Sequence, residues 1–149
     1  HLLSNKINLD FFDIDKLIEA EESSKITDIF KNKGEDYFRK IEEEICLKIL
    51  KRNKSIIALG GGSFLNYKIR SEIQSNHFSI WLAWSPLTIM DRIKKSKNRP
   101  LLKNMSNNDI KKLIFKRKKI YQKAQIKINC ENLSKNEIIT KITKLYERR

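Results

Sequence analysis

Apolar residues along this chain alternate between two periods. The clearest short run is Ile56-Ile57-Ala58-Leu59, β-branched at its start and ended abruptly by Gly60-Gly61-Gly62, the pattern of a strand buried in a parallel sheet. Asp10-Phe11-Phe12-Asp13-Ile14-Asp15 reads as an earlier short buried strand ending in acids. Phe78 to Trp84 reads as a later one, and Gln125-Ile126-Lys127-Ile128-Asn129 alternates as a fourth. Between these runs the spacing turns helical. Leu2, Leu3 and Ile7 form the stripe of a helix within residues 1–9, and Leu17 and Ile18 open the next. Ser24 is the expected cap of a short helix through Ile26, Ile29 and Phe30, which Lys33-Gly34 closes. Phe38, Ile41, Ile45 and Ile49 then share one face of a longer helix from about Glu35 to Lys51. Residues 66–75 are weakly helical, and Ser85-Pro86 opens a helix through Leu87, Ile89, Met90 and Ile93. Asn108 starts a basic helix with Ile110, Leu113, Ile114 and Tyr121, and Ser134 caps the last, whose Ile138, Ile142, Leu145 and Tyr146 face the core.

Strands alternating with helices predict an α/β fold, a parallel sheet covered by helices on both faces. No internal repeat and no linker divides the chain, so residues 1–149 read as one domain. Within it, residues 95–108 are polar and basic, interrupted by Arg99-Pro100-Leu101-Leu102, and read as a mobile surface flap.

A content of 40% apolar and 34% charged residues over 149 positions suits a globular domain with a sizeable core. No apolar run approaches the roughly 20 residues that cross a bilayer, so a soluble, cytoplasmic protein is expected. Cys46 and Cys130 stand far apart without a CxxC companion and read as reduced, buried thiols, not as metal ligands. The net charge of +14 is unevenly spread. Twelve bases against one acid, Asp109, give residues 92–119 a net +11, whereas twelve acids against seven bases give residues 10–50 a net −5. The basic stretch invites a nucleic-acid reading, but its aromatics, Phe115 and Tyr121, fit a helix core better than a base-stacking platform. Lys, Asn and Ile abound throughout, which marks much of the excess as compositional drift on a solvated face.

Three residues without side chains at the carboxyl end of a strand let another molecule approach the backbone, at the edge where open sheets bind ligands. A plain tight turn would use the same glycines. Asp13 and Asp15, two residues apart at a strand end, would point together into a cleft, or Asp15 would simply cap the following helix. Arg39 stands four residues after Glu35 and three before Glu42. These are ordinary helical ion pairs, or Arg39 beside Phe38 presents a guanidinium at a pocket wall.

Taken in order, five stretches resemble shikimate kinase: Phe12-Asp13-Ile14-Asp15; Gly34-Glu35 leading to Phe38-Arg39-Lys40-Ile41-Glu42; Ala58-Leu59-Gly60-Gly61-Gly62; Arg99-Pro100-Leu101-Leu102; and Arg117 four residues before Tyr121. They cover nearly the whole chain in that family's order and spacing, which together is specific where each alone is weak. The resemblance implies a P-loop kinase fold, a three-layer parallel sheet flanked by helices with strand order 2-3-1-4-5. It also implies ATP- and Mg2+-dependent transfer of the γ-phosphoryl group to the 3-hydroxyl of shikimate, in aromatic amino acid biosynthesis. The implied partner is a small molecule, with no nucleic acid, no membrane and a monomeric state.

By the same resemblance, Arg39 and Arg117 clamp the substrate carboxylate, since guanidinium forks match carboxylates. Asp15 accepts hydrogen bonds from the hydroxyls and orients or deprotonates the attacking one. Asp13 sits nearer the metal, through coordinated water. Gly60, Gly61 and Gly62 belong to the substrate site, with the N–H groups of Gly61 and Gly62 turned to the substrate. Phe30 and Phe38 line the apolar side of the ring, and Glu42 holds an arginine in place. Arg99 swings over the phosphates as the lid 95–108 closes, acting in catalysis and in ATP binding. Arg92 matches the position that packs on the adenine, or is a plain surface arginine.

The chain departs from the family at one essential point. The phosphate-binding pattern G-x-x-x-x-G-K-[ST] is absent, and Gly60-Gly61-Gly62-Ser63 has no lysine and falls at the wrong place in the fold. In the family that loop and its strand lie just before the segment matching His1-Leu2-Leu3. The chain is therefore expected to be a fragment lacking roughly 15–25 residues, judged by the length of a βα unit, its remaining strands forming two separated pairs. Alone it would neither bind ATP well nor fold stably, because apolar surface and unpaired backbone would be exposed. Lys119 stands where the family often has proline. The alternatives are a related small-metabolite kinase such as a gluconate kinase, and a non-catalytic relative without a P-loop. The paired Arg39 and Arg117 favour a cyclic carboxylate, and Asp13, Asp15, Arg39, Arg99 and Arg117 occurring together favour catalysis.

Overall fold

The computed structural model describes residues 1–95 and 105–148. Helix α1 (Leu2–Ile7) leads into strand β1 (Asp10–Asp13), helix α2 (Ile14–Glu21) and the long helix α3 (Ile26–Leu50). Strand β2 (Ser55–Ala58), a 3-10 turn (Ser63–Leu65) and helix α4 (Tyr67–Asn76) follow. Strand β3 (Ile80–Ala83), helix α5 (Pro86–Lys95), helix α6 (Asn107–Tyr121), strand β4 (Ile126–Asn129) and helix α7 (Lys135–Glu147) complete the described chain. Every predicted strand and helix is present, and all strand pairing is parallel. Arg99-Pro100-Leu101-Leu102 and most of the expected flap 95–108 lie outside the described residues.

Several local expectations are corrected. The first strand stops at Asp13, which caps α2 by accepting from the Lys16 N–H at 3.3 Å, and Asp15 belongs to the first turn of that helix. The strand is only partly buried. Ser24 caps nothing: the first residue before α3 is Lys25, and the orphan Ile26 N–H donates to Glu19 Oε1 at 3.1 Å. Gly34 breaks α3 with φ 81° and ψ 175°, so the two predicted helices run on through a kink. Ser106 caps α6, which begins at Asn107, one residue ahead of the expected Asn108, and Ser134 forms a full capping box with Glu137. Tyr146 is 45% exposed and Phe115 58% exposed, so neither lies in the core.

The strands form two two-stranded sheets, β1-β2 and β3-β4, the separated pairs expected for the order 2-3-1-4-5 without its first strand. Each has its own apolar cluster. Ile14, Ile18, Ile29, Phe38, Cys46, Ile49, Phe64, Ile69 and Ile73 pack beside β1-β2, while Ile128, Cys130 and Ile142 pack beside β3-β4. Ile14 and Ile18 are fully buried, each contributing about 1.5–3 kcal/mol. Between the pairs lies a slot of about 560 Å³, lined by Ile56, Ala58 and Gly60 on one side and Ile80 and Leu82 on the other. The register of the first pair sets the site: Asp13 lies opposite Ala58, which brings the Asp13–Asp15 segment alongside the glycines.

Candidate active site

The two acids at the start of α2 differ in their surroundings. Asp13 spends one carboxylate oxygen on the helix cap. Asp15 points across to the glycine loop, where its Oδ1 lies 2.6 Å from the point a Cβ on Gly60 would occupy. Burial, helped by the charges of Asp13, Glu42 and Glu19 and opposed by Arg39, holds the Asp15 carboxyl above the usual aspartate range. A carboxylate with raised proton affinity is a better acceptor for a hydroxyl proton than an exposed one.

Helix α3 supplies the neighbouring cation. Its first helical turns after the Gly34 break present Arg39, whose Nε and Nη2 both donate to Glu35 Oε1 at 3.2 Å and whose Nη1 donates to Glu42 Oε2 at 2.7 Å. An ordinary helical ion pair would leave Glu42 in solvent. It is instead 2% exposed, in the middle of the buried face with Phe38 and Cys46. Such a carboxylate needs partners on both oxygens, and the second one comes from Ser63, whose hydroxyl donates to Glu42 Oε1 at 2.7 Å. One helical turn further, burial and then the charge of Glu42 push the Cys46 thiol up to about 12. Phe30 and Phe38 stack with centroids 4.6 Å apart, and the Arg39 guanidinium lies 5.2 Å from the Phe38 centroid. Phe38 itself is buried, so Phe30 is the ring of the two left at the pocket wall.

None of Gly60, Gly61 and Gly62 has a positive φ. What requires glycine is space. A Cβ on Gly60 would meet Asp15, Glu42 Oε1 at 3.3 Å and Ser63 Oγ at 3.3 Å, and one on Gly62 would press into the Arg39 guanidinium, with Cζ at 2.9 Å. At Gly61 the nearest atom is Arg117 Nη1, 3.5 Å away. Adjacent glycines thus carry Arg39 and Arg117 against the same loop, from two helices far apart in sequence. The Nε of Arg117 is buried and has no hydrogen-bond partner among the described residues, which suits an anion accepting from it.

A second region lies beyond this loop. A cavity of about 610 Å³ runs under α5 and α6 and is lined by Trp84, Ile89, Arg117, Asn129 and Glu131. The Arg92 guanidinium lies 4.2 Å from the ring centroid of Trp84, one of the lining residues. Glu131 holds the start of α5, accepting from the Ser85 N–H at 2.8 Å and the Thr88 hydroxyl at 2.6 Å. Arg92 is therefore not part of the Asp15–Arg39–Arg117 group, and Arg99 lies outside the described residues. Sequence reasoning assigned no role to Ser63, Trp84 or Glu131. Ser63 follows the glycines directly, but only the packing of α3 shows that its hydroxyl meets a buried carboxylate.

Known proteins are similar to this chain in sequence and in fold. A sequence model of the shikimate kinase family matches residues 1–147. The shikimate kinase of Sulfurihydrogenibium sp. is 38% identical over 148 residues, covering 99% of this chain and 89% of that protein. That of Persephonella marina is 39% identical over 141 residues, covering 95% and 85%. The crystal structure of Aquifex aeolicus shikimate kinase superposes with a TM-score of 0.86 at 34% identity, covering 98% of this chain and 86% of that one. The Acinetobacter baumannii shikimate kinase in complex with shikimate has a TM-score of 0.90 at 24% identity, over 98% and 83%, and so shares the fold. The sequence motifs, the parallel α/β architecture and these matches over nearly the full length agree: the chain belongs to the shikimate kinase family.

Proposed function

We propose that this site binds shikimate between Arg39, Arg117 and Asp15 and directs its 3-hydroxyl to the γ-phosphoryl group of ATP. The observation that carries the reading is the pair of guanidiniums on adjacent glycines beside one partly buried carboxylate. Two cationic forks take the substrate carboxylate, the unpartnered Arg117 Nε among their donors. Asp15, with its raised proton affinity, receives the hydroxyl proton as the oxygen attacks phosphorus. Glu42, fixed by Ser63, keeps the Arg39 fork in place. Phe30, backed by the buried Phe38 ring, forms the apolar wall. The backbone N–H groups of the glycine loop supply neutral donors to the substrate.

Mg2+ fits here only as a mostly hydrated ion. No cluster of three or more metal-binding side chains occurs among the described residues, and Asp13, with one oxygen engaged in the cap, offers a single carboxylate through water. When bound, ATP with its metal supplies the phosphoryl group and the charge that neutralises it. For ATP itself, Arg92 on the Trp84 ring is the adenine-side contact and Arg99 the lid cation. The described residues contain no phosphate cradle, and the 560 Å³ slot between the unpaired edges of β2 and β3 is where a further strand with its phosphate loop completes the sheet. We place the active protein as a cytoplasmic monomer with one catalytic domain and no nucleic-acid partner.

The test is incubation of the protein, expressed from its whole gene, with ATP, Mg2+ and either shikimate or gluconate, followed by mass spectrometry of the products. A phosphorylated product from shikimate alone is expected. Phosphorylation of gluconate, or of neither acid, would overturn the assignment.

A further inference from the structure

Tyr121 ends α6 one turn after Arg117, and its hydroxyl donates to the carbonyl oxygen of Gly61. The ring is held from two sides, by Phe64 at 6.5 Å between centroids and by Trp81 at 6.0 Å. The same helix therefore meets Gly61 twice, through the Arg117 guanidinium and through this hydroxyl.

In a planar trans peptide the C=O of one residue and the N–H of the next point in opposite directions, and the chain has no cis bond among its described residues. Turning the Gly61 carbonyl toward Tyr121 thus turns the Gly62 N–H away from it. No acceptor takes that N–H among the described residues, and Gly62 is the residue against which the Arg39 guanidinium packs. A peptide between two glycines is the easiest to flip, because neither neighbour has a Cβ to resist it. A flip would present a carbonyl oxygen, not a donor, to an anionic, hydroxyl-bearing ligand.

We propose that Tyr121 is a positioning residue for shikimate: its hydroxyl locks the Gly61–Gly62 peptide in the orientation that donates the Gly62 N–H to the substrate. This rests on the assignment of the glycine loop to the shikimate site made above. Tyr121 touches neither the substrate nor the reacting atoms. It acts through the peptide alone, and so affects shikimate and not ATP.

The test is Tyr121→Phe in the protein expressed from its whole gene. The substitution keeps the ring between Phe64 and Trp81 and removes only the hydroxyl. In the ligand-free protein, the 13C resonance of the Gly61 carbonyl shifts as its hydrogen bond is lost. In kinetics, KM for shikimate rises about tenfold, the scale of one hydrogen bond that orders a donor. The kcat value changes less than KM, KM for ATP stays constant, and the melting temperature is nearly unmoved. An unchanged carbonyl shift shows that the bond is not made and overturns the proposal. So does an unchanged shikimate KM, or an equal rise in both KM values. If the carbonyl shifts but the unaltered protein does not phosphorylate shikimate, the functional assignment has failed, and the proposed role falls with it while the hydrogen bond stands.

Discussion

Gly62→Ala tests whether these glycines serve the backbone or the space beside it. Gly62 has φ −111° and ψ −26°, a conformation open to alanine. The backbone part of the change is thus neutral or favourable by about 0.4–1 kcal/mol through the unfolded chain. The new Cβ, however, would stand 2.9 Å from Arg39 Cζ and 3.0 Å from Nη2, where contact distance is about 3.5–4.0 Å. The guanidinium must retreat by roughly 1 Å, which removes the 2.7 Å bond to Glu42 from hydrogen-bonding range. Losing a charged hydrogen bond costs about 1.5–3 kcal/mol, leaving a net destabilisation of about 1–2 kcal/mol once the backbone gain is subtracted. The substrate is affected too, because a displaced fork forfeits a charged hydrogen bond to the carboxylate, about 1.5–3 kcal/mol or roughly ten- to a hundredfold in affinity. Isothermal titration with shikimate and a thermal melt measure both. Gly61→Ala is the control for stability alone, since its Cβ meets Arg117 Nη1 at an ordinary 3.5 Å. Shikimate affinity in Gly62→Ala within threefold of the parent would refute the reasoning, and so would an equal loss of melting temperature in both variants.

Asp15→Asn should lower turnover by about 10²–10⁴ as a general base is removed, with ATP affinity nearly intact, and steady-state kinetics in both substrates would show it. The same variant should melt higher at neutral pH. A carboxyl whose folded pKa is raised, here by burial and then by neighbouring acids, binds its proton more tightly in the native state. Its contribution to stability is therefore full at low pH and is lost as pH rises through the folded pKa. Melts of the parent and Asp15→Asn should converge in acid and separate toward neutrality, and parallel curves would contradict this. Arg117→Ala should raise KM for shikimate far more than KM for ATP, and equal changes would remove Arg117 from the clamp. Cys46, fully buried with its thiol pushed up to about 12, should react with Ellman's reagent only on unfolding, so prompt labelling of the native protein at Cys46, read by peptide mapping, would argue against that burial.

The elements were legible in the sequence because each strand is a compact apolar run and each helix an apolar stripe. These periods are local properties of the chain. Asp15, Arg39, the glycines and Arg117 were legible as a family pattern, and Ser134 as a cap, because Ser-x-x-Glu fixes a capping box within four residues. Local signals also misled. Ser24 reads as a cap, yet Glu19, from the preceding helix, takes the orphan N–H, and Asp13 displaced Asp15 at the start of α2 because the strand ended earlier. The tertiary structure alone decided why the glycines are glycines. At Gly34 the cause is conformation, with φ 81° and open space around it, whereas at Gly60 and Gly62 it is the volume already filled by Asp15 and Arg39. It also decided that Glu42 is a buried acid shared by Arg39 and Ser63, and that Tyr121 grips the loop. The order of residues along a chain sets backbone propensity. The volume beside a residue, and the partner of a buried charge, depend on segments that only packing brings together.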